Sequence, residues 1–148
     1  MIKKVLVAVD GSEYSHKAVG YASDIALKYD CQMYLINVVR KVEIPEQLIA
    51  YANIEKIEES HEYVFFEEIG KRILKKAEET AKKKGVKEVH SIINKGDPAN
   101  RITEFAREND IDWIFLGTRG LGRIKGLLLG SGSNKVCNMA DSTCVTVK

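Results

Sequence analysis

The feature that most limits how this chain can fold is an alternation between short continuous apolar runs and longer stretches whose apolar residues recur every three or four positions. Within Ile2 to Val9, the residues Val5, Leu6, Val7, Ala8 and Val9 stand in succession, as in a strand buried on both faces. Asp10, Gly11 and Ser12 stop that run. Tyr14, Ala18, Tyr21, Ala22, Ile25, Ala26 and Tyr29 then trace one stripe of a helix. Cys31 to Val39 carries Met33, Tyr34, Leu35, Ile36, Val38 and Val39, a second buried strand. A strand, a helix and a strand in this order imply a right-handed parallel crossover.

The alternation continues after one irregular stretch. From Arg40 to about Glu67 the apolar residues follow no single period, which predicts a partly helical excursion. Glu68 to Lys84 places Ile69, Ile73, Leu74, Ala77 and Ala81 on one helical face, with Gly85 as the C-terminal cap. Val86 to Asn94 reads as the third strand, and Asp97-Pro98 as an N-cap followed by proline at the first helical position. Ile102, Phe105 and Ala106 give that helix its buried face. Asp112 to Gly117 is the fourth strand, a helix ends near Asp141, and Thr143 to Val147 is the fifth strand. Five strands alternating with four helices predict a doubly wound, three-layer α/β/α sandwich. In such a sheet ligands bind beyond the carboxyl ends of the strands where the strand order reverses, so the first and fourth strands are the ones to inspect.

At 148 residues the chain is expected to form one domain spanning 1–148 around one core. Its 23 basic and 21 acidic side chains leave +2, which gives no reason to expect bulk binding to nucleic acid. Cys31, Cys137 and Cys144 are odd in number and lack zinc-site spacing, so they read as buried free thiols of a reducing compartment. No apolar run approaches the roughly 18 residues of a membrane span, and the N-terminus has no secretory pattern. The expectation is a cytoplasmic protein that does not engage membranes.

The least random segment follows the fourth strand. Gly117, Gly120, Gly122, Gly126, Gly130 and Gly132 are six of the eleven glycines and fall within sixteen consecutive residues. Glycine lets the backbone approach a ligand closely, and a helix start offers unpaired N–H groups to an anion. Ser131 and Ser133 add hydroxyls at that start. Arg119, Arg123, Lys125 and Lys135 are the only charged residues between Asp112 and Asp141. A phosphate site is the natural inference. The Walker pattern is absent, and the dinucleotide fingerprint fails because Lys125 takes the place of its third glycine.

What fits is Gly117-x2-Gly120-x9-Gly130-Ser131, which resembles the ATP-binding signature of the universal stress protein family. The resemblance covers nearly the whole chain: VLVAVDGSEYS looks like the family's first strand and acidic turn, Gly96-Asp-Pro-Ala99 like its GxPA turn, and DIDWIFLG like its fourth strand. It implies a Rossmann-like, adenine nucleotide alpha hydrolase-like parallel sheet in the order 3-2-1-4-5, and a homodimer paired through the last strand. It also implies ATP, or AMP, at the strand ends, with Mg2+ or Mn2+ bound through the phosphates. Ala8, Val9 and Asp10 would then border the adenosine, Val38 would meet the adenine, and Leu116 and Gly117 would continue that wall. Gly120, Gly130, Ser131, Gly132 and Ser133 would surround ribose and phosphates. Arg119 and Arg123 read either as phosphate contacts or as solvated loop charges. Three departures stand out: Gly132 where valine is more usual, Thr143-Cys144 in place of Pro-Val, and the extra loop glycines Gly122 and Gly126.

Other features point to no catalyst. His16, His61 and His90 share no paired spacing, and Gly130-Ser131-Gly132-Ser133 is not the GxSxG elbow of a serine nucleophile. The reading is therefore an ATP-binding, nucleotide-responsive regulatory module in the stress response, with no catalytic residue assigned. Slow ATP hydrolysis or phosphotransfer is one alternative. The other is an interaction module that uses no nucleotide, presenting Tyr51, Tyr63, Phe65 and Phe66 from the excursion; packing of those aromatics onto their own domain or across a dimer is favoured over an open patch.

Overall fold

Each strand of the protein runs parallel to its neighbours, as the crossover pattern requires. A computed structural model describes residues 1–40, 45–55, 60–119 and 131–148. Among these the elements are β1 (Lys4–Ala8), α1 (Glu13–Tyr29), β2 (Gln32–Val39), α2 (Glu46–Ile54), α3 (Ser60–Lys84), β3 (Val89–Lys95), α4 (Pro98–Glu108), β4 (Trp113–Gly117), α5 (Ser131–Met139) and β5 (Thr143–Val147). The sheet has five strands in the order β3-β2-β1-β4-β5, the predicted order. Register pairs Leu6 with Tyr34 on one side and with Ile114 on the other. Strand order reverses between β1 and β4, so the crevice of the fold lies at their carboxyl ends.

Alternation along the strands divides the core into two layers. Val5, Val7, Val9, Met33, Leu35 and Phe115 point to one face and meet Ala18, Val19, Ala22 and Ala26 of α1 and Leu74, Ala77 and Ala81 of α3. Leu6, Ile36, Ile114 and Leu116 point to the other and meet Ala99, Ile102 and Ala106 of α4 and Val136 of α5. The small residues of α1 let that helix lie close to the central strands.

Three helices end in the same way. After α3, Val86 N–H donates to Ala81 O (3.2 Å) and Gly85 N–H to Lys82 O (2.9 Å), with Gly85 at φ +107°, a Schellman turn. This turn takes up Val86, which is why β3 begins at Val89 and not at Val86. After α4, Ile111 N–H donates to Ala106 O (2.9 Å) with Asp110 at φ 52°, and after α1, Cys31 N–H donates to Ala26 O (2.9 Å) with Asp30 at φ 53°. Two aspartates thus hold left-handed positions that suit glycine better.

The excursion is more helical than its sequence pattern suggests. It contains α2, and α3 begins at Ser60 instead of Glu68, so the described chain has five helices and not four. Tyr51, Phe65 and Phe66 are exposed, with Leu48, Ile54 and Val64 beside them in sequence. Of the expectation that these aromatics pack onto their own domain or across a dimer, the first part does not hold for Tyr51, Phe65 and Phe66. Tyr63 differs: Lys95 Nζ lies 3.7 Å from its ring centroid. No helix among the described residues is long and apolar enough to cross a membrane.

Asp30→Gly and Asp110→Gly are each expected to stabilise the protein by about 0.5–1 kcal/mol, because glycine removes the Cβ strain of the left-handed turn. Urea denaturation checks this: an unchanged midpoint in both variants would show that the aspartate side chains already relieve it.

Candidate functional site

Two helix starts and two strand ends meet at one point. As β1 ends, Val9 N–H donates to Ile36 O (2.9 Å), which keeps the chain on the sheet for one more residue. Asn37, 8% exposed, donates through Nδ2 to Val9 O (2.8 Å). Its carboxamide fits only because residue 70 of α3 is glycine: a Cβ there would stand 2.5 Å from Asn37 Oδ1 and 2.9 Å from Ile93 Cδ1.

Asp10 then turns the chain. Its Oδ1 accepts from Ser12 N–H at 2.9 Å, a side-chain turn that sets up the start of α1. Ser12 is the N-cap, its Oγ accepting from Ser15 N–H at 3.2 Å, and Ser15 Oγ donates back to Ser12 O at 3.0 Å. Ser12 Oγ also donates to Arg119 O at 3.3 Å, across 107 positions of sequence. The start of α1 is thereby attached to the segment that follows β4.

Gly117 lies directly against the first turn of α1. A Cβ built there would lie 2.8 Å from Tyr14 Cβ, 3.0 Å from Ser15 N and 3.0 Å from Tyr14 C. Any side chain would have to displace the first turn of α1, which is backbone and cannot swing aside. Gly117 O accepts from Ser133 Oγ (2.5 Å) at the start of α5. The next residue, Thr118, is 1% exposed and its N–H donates to Val147 O (2.8 Å). Arg119 sits 5.8 Å from the Tyr14 ring centroid, a cation–π approach that holds the guanidinium over α1.

The second helix start is that of α5. Among the described residues nothing lies within 4 Å of a Cβ added at Gly132, and α5 has no acidic residue in its first turn. Unpaired N–H groups and the helix dipole favour an anion there. Lys135 is not aimed at such an anion: its Nζ donates to Asp97 Oδ2 at 3.1 Å. Asp97 caps α4 by accepting from Asn100 N–H at 3.0 Å. That backbone donor first, and Lys135 second, hold its carboxyl below the usual range.

The structure thus gathers most of the residues that the sequence singled out. Ala8, Val9 and Asp10 lie at the end of β1, and Leu116, Gly117 and Arg119 at and just beyond the end of β4. Gly132 and Ser133 lie in the first turn of α5. Val38 lies near the end of β2, packed against the second core layer and paired with Asn94. Gly120, Arg123 and Gly130 lie outside the described residues, as does the side chain of Ser131. Ser12, Ser15, Asn37 and Thr118 were not singled out. A hydroxyl at the N-cap position of α1 was a legible signal for Ser12; nothing local marks the other three.

The parallel sheet, with its crevice between two helix N-termini and a glycine at the closest approach, defines a doubly wound α/β protein. The family model for the universal stress protein family matches residues 1–148, and the chain belongs to that family. The universal stress protein YxiE of Bacillus subtilis is 35% identical over 147 residues, covering 97% of this chain and 96% of that protein. The universal stress protein MJ0531 of Methanocaldococcus jannaschii is 35% identical over 148 residues, covering 100% of this chain and 83% of that protein. Among solved structures, hypothetical protein MJ0577 superposes with a TM-score of 0.80 at 23% identity, covering 100% of this chain and 96% of that one. A universal stress protein in complex with cAMP superposes with a TM-score of 0.69 at 25% identity, covering 99% and 96%.

Gly117→Ala is expected to cost about 1–3 kcal/mol by overpacking. The loss should appear as a lower urea midpoint together with faster hydrogen exchange at Tyr14 and Ser15. A midpoint equal to that of the unaltered chain would mean that the α1 turn accommodates a methyl group.

Proposed function

We propose that this protein binds an adenine nucleotide at the carboxyl ends of β1 and β4. In this reading ATP, or AMP, is the ligand, Mg2+ or Mn2+ is held through its phosphates, and binding makes the chain a nucleotide-responsive regulatory module of the stress response. The observation that carries the reading is the convergence at Gly117. There β4 meets the first turn of α1 with no room for a side chain, and Ser133 at the start of α5 donates to Gly117 O.

Each part of the crevice has a role in this reading. Ala8, Val9 and Asp10, with Val38 opposite, border the adenosine, while Leu116 and Gly117 continue that wall. The first turn of α5, with Ser131, Gly132 and Ser133, presents backbone N–H groups to the phosphates, while the Ser133 hydroxyl stays on Gly117 O. Gly120 and Gly130 let the backbone come close, and Arg119 and Arg123 add positive charge. The bound cAMP named for one structural neighbour supports an adenine ligand in this fold. The same reading makes residues 1–148 one domain, a cytoplasmic homodimer paired through β5, which is an edge strand of the sheet among the described residues.

Calorimetric titration with ATP, AMP and cAMP, with and without magnesium, tests the proposal. Binding of at least one of them is expected, and Gly120→Leu should weaken it at least about tenfold, or roughly 1.4 kcal/mol, with an unchanged circular dichroism spectrum. Unaltered affinity in that variant would overturn the site assignment, and no binding of any adenine nucleotide would overturn the function.

A further inference from the structure

The fold brings together two cysteines that look unrelated in sequence. Cys137 lies on α5 between Val136 and Ala140, both of which pack into the second core layer, and Cys144 lies on β5 in register with Ile114 of the same layer. The chain reverses between them: Ala140 N–H donates to Val136 O (2.9 Å), Ser142 Oγ donates to Ile111 O (2.7 Å) and Thr143 N–H donates to Asp112 O (3.1 Å). Both cysteine side chains pack against that layer, where Cys137 acts on Cys144 as a neighbouring group, and both are only partly buried. Cys31 cannot join them. It is buried in the opposite core layer, where its thiol donates to Ile2 O at 3.1 Å.

We propose that Cys137 and Cys144 form an oxidisable dithiol that closes reversibly to an intrachain disulfide when the protein meets a small peroxide. The Cys137 thiolate attacks one oxygen of hydrogen peroxide, the O–O bond breaks, and hydroxide leaves with the electron pair and takes up a proton as water. Cys137 is then a sulfenic acid. The Cys144 sulfur attacks the Cys137 sulfur, the S–O bond breaks, and the departing hydroxide leaves as a second water with the Cys144 proton. Two thiols and one peroxide give one disulfide and two waters. Burial first, and the neighbouring Cys137 second, push the Cys144 thiol up to about 11. That suits Cys144 to the resolving step.

The bond would join the last turn of α5 to the edge strand β5. The start of α5 carries Ser133, which holds Gly117 O, so oxidation would fix the helix that forms one wall of the crevice. Only six residues separate the two cysteines. A ring that small constrains the unfolded chain little.

The test uses the full chain, reduced and then treated with hydrogen peroxide, with free cysteine in the same buffer as a reference. Intact mass is expected to fall by two hydrogens, peptide mapping of the unaltered protein to find Cys137 joined to Cys144, and dithiothreitol to restore the starting mass. Cys31→Ser should behave like the unaltered chain, whereas Cys137→Ser and Cys144→Ser should each lose the two-hydrogen shift. Three results would overturn the proposal: oxygen added to either cysteine without loss of hydrogens, a disulfide between chains, or thiols unchanged at a peroxide dose that oxidises the free cysteine.

Discussion

The carboxyl end of β4 rests directly on the first turn of α1, and the rest of the crevice depends on that contact. Because Gly117 has no side chain, its backbone lies against Tyr14 and Ser15, and the residues on either side of it are committed to neighbours. Ser133 reaches Gly117 O, Thr118 N–H reaches Val147 O, and Ser12 Oγ reaches Arg119 O. One strand end therefore sets the positions of α5, of the edge strand β5 and of the α1 cap. The apolar layers supply most of the free energy of folding. The polar contacts at Gly117 fix how the two helix starts face one another.

Most of the architecture was legible in the sequence because it rests on local periodicity. The run from Val5 to Val9 and the stripe from Tyr14 to Tyr29 report their structures through side-chain spacing alone, and the strand order follows from the family resemblance. Errors arose where a local signal competed with another. Val86 continues an apolar pattern, yet Gly85 draws it into the Schellman turn after α3. The excursion has no clean period because α2 buries no residue, so nothing forced its apolar residues onto one side.

The site was legible to a different degree. Gly117 and Asp10 could be found because glycine clusters and strand-end aspartates are visible in the sequence. Asn37 could not, since its contacts with Val9 and with the vacant position at Gly70 depend on how three elements pack. Thr118 and Ser15 are similar cases. The cysteine pair shows the same limit, because a helix, a turn and a strand must first form before residues 137 and 144 can meet. Long-range polar contacts of this kind leave no periodic trace.

The central claim is that the nucleotide lies over the ends of β1 and β4, and a crystal structure grown with ATP and magnesium tests it most directly. The account predicts adenosine beside Val9, Asp10 and Val38, with phosphates on the first turn of α5 at Gly132 and Ser133. Nucleotide bound at any other part of the surface, with the crevice at Gly117 open to solvent, would contradict it.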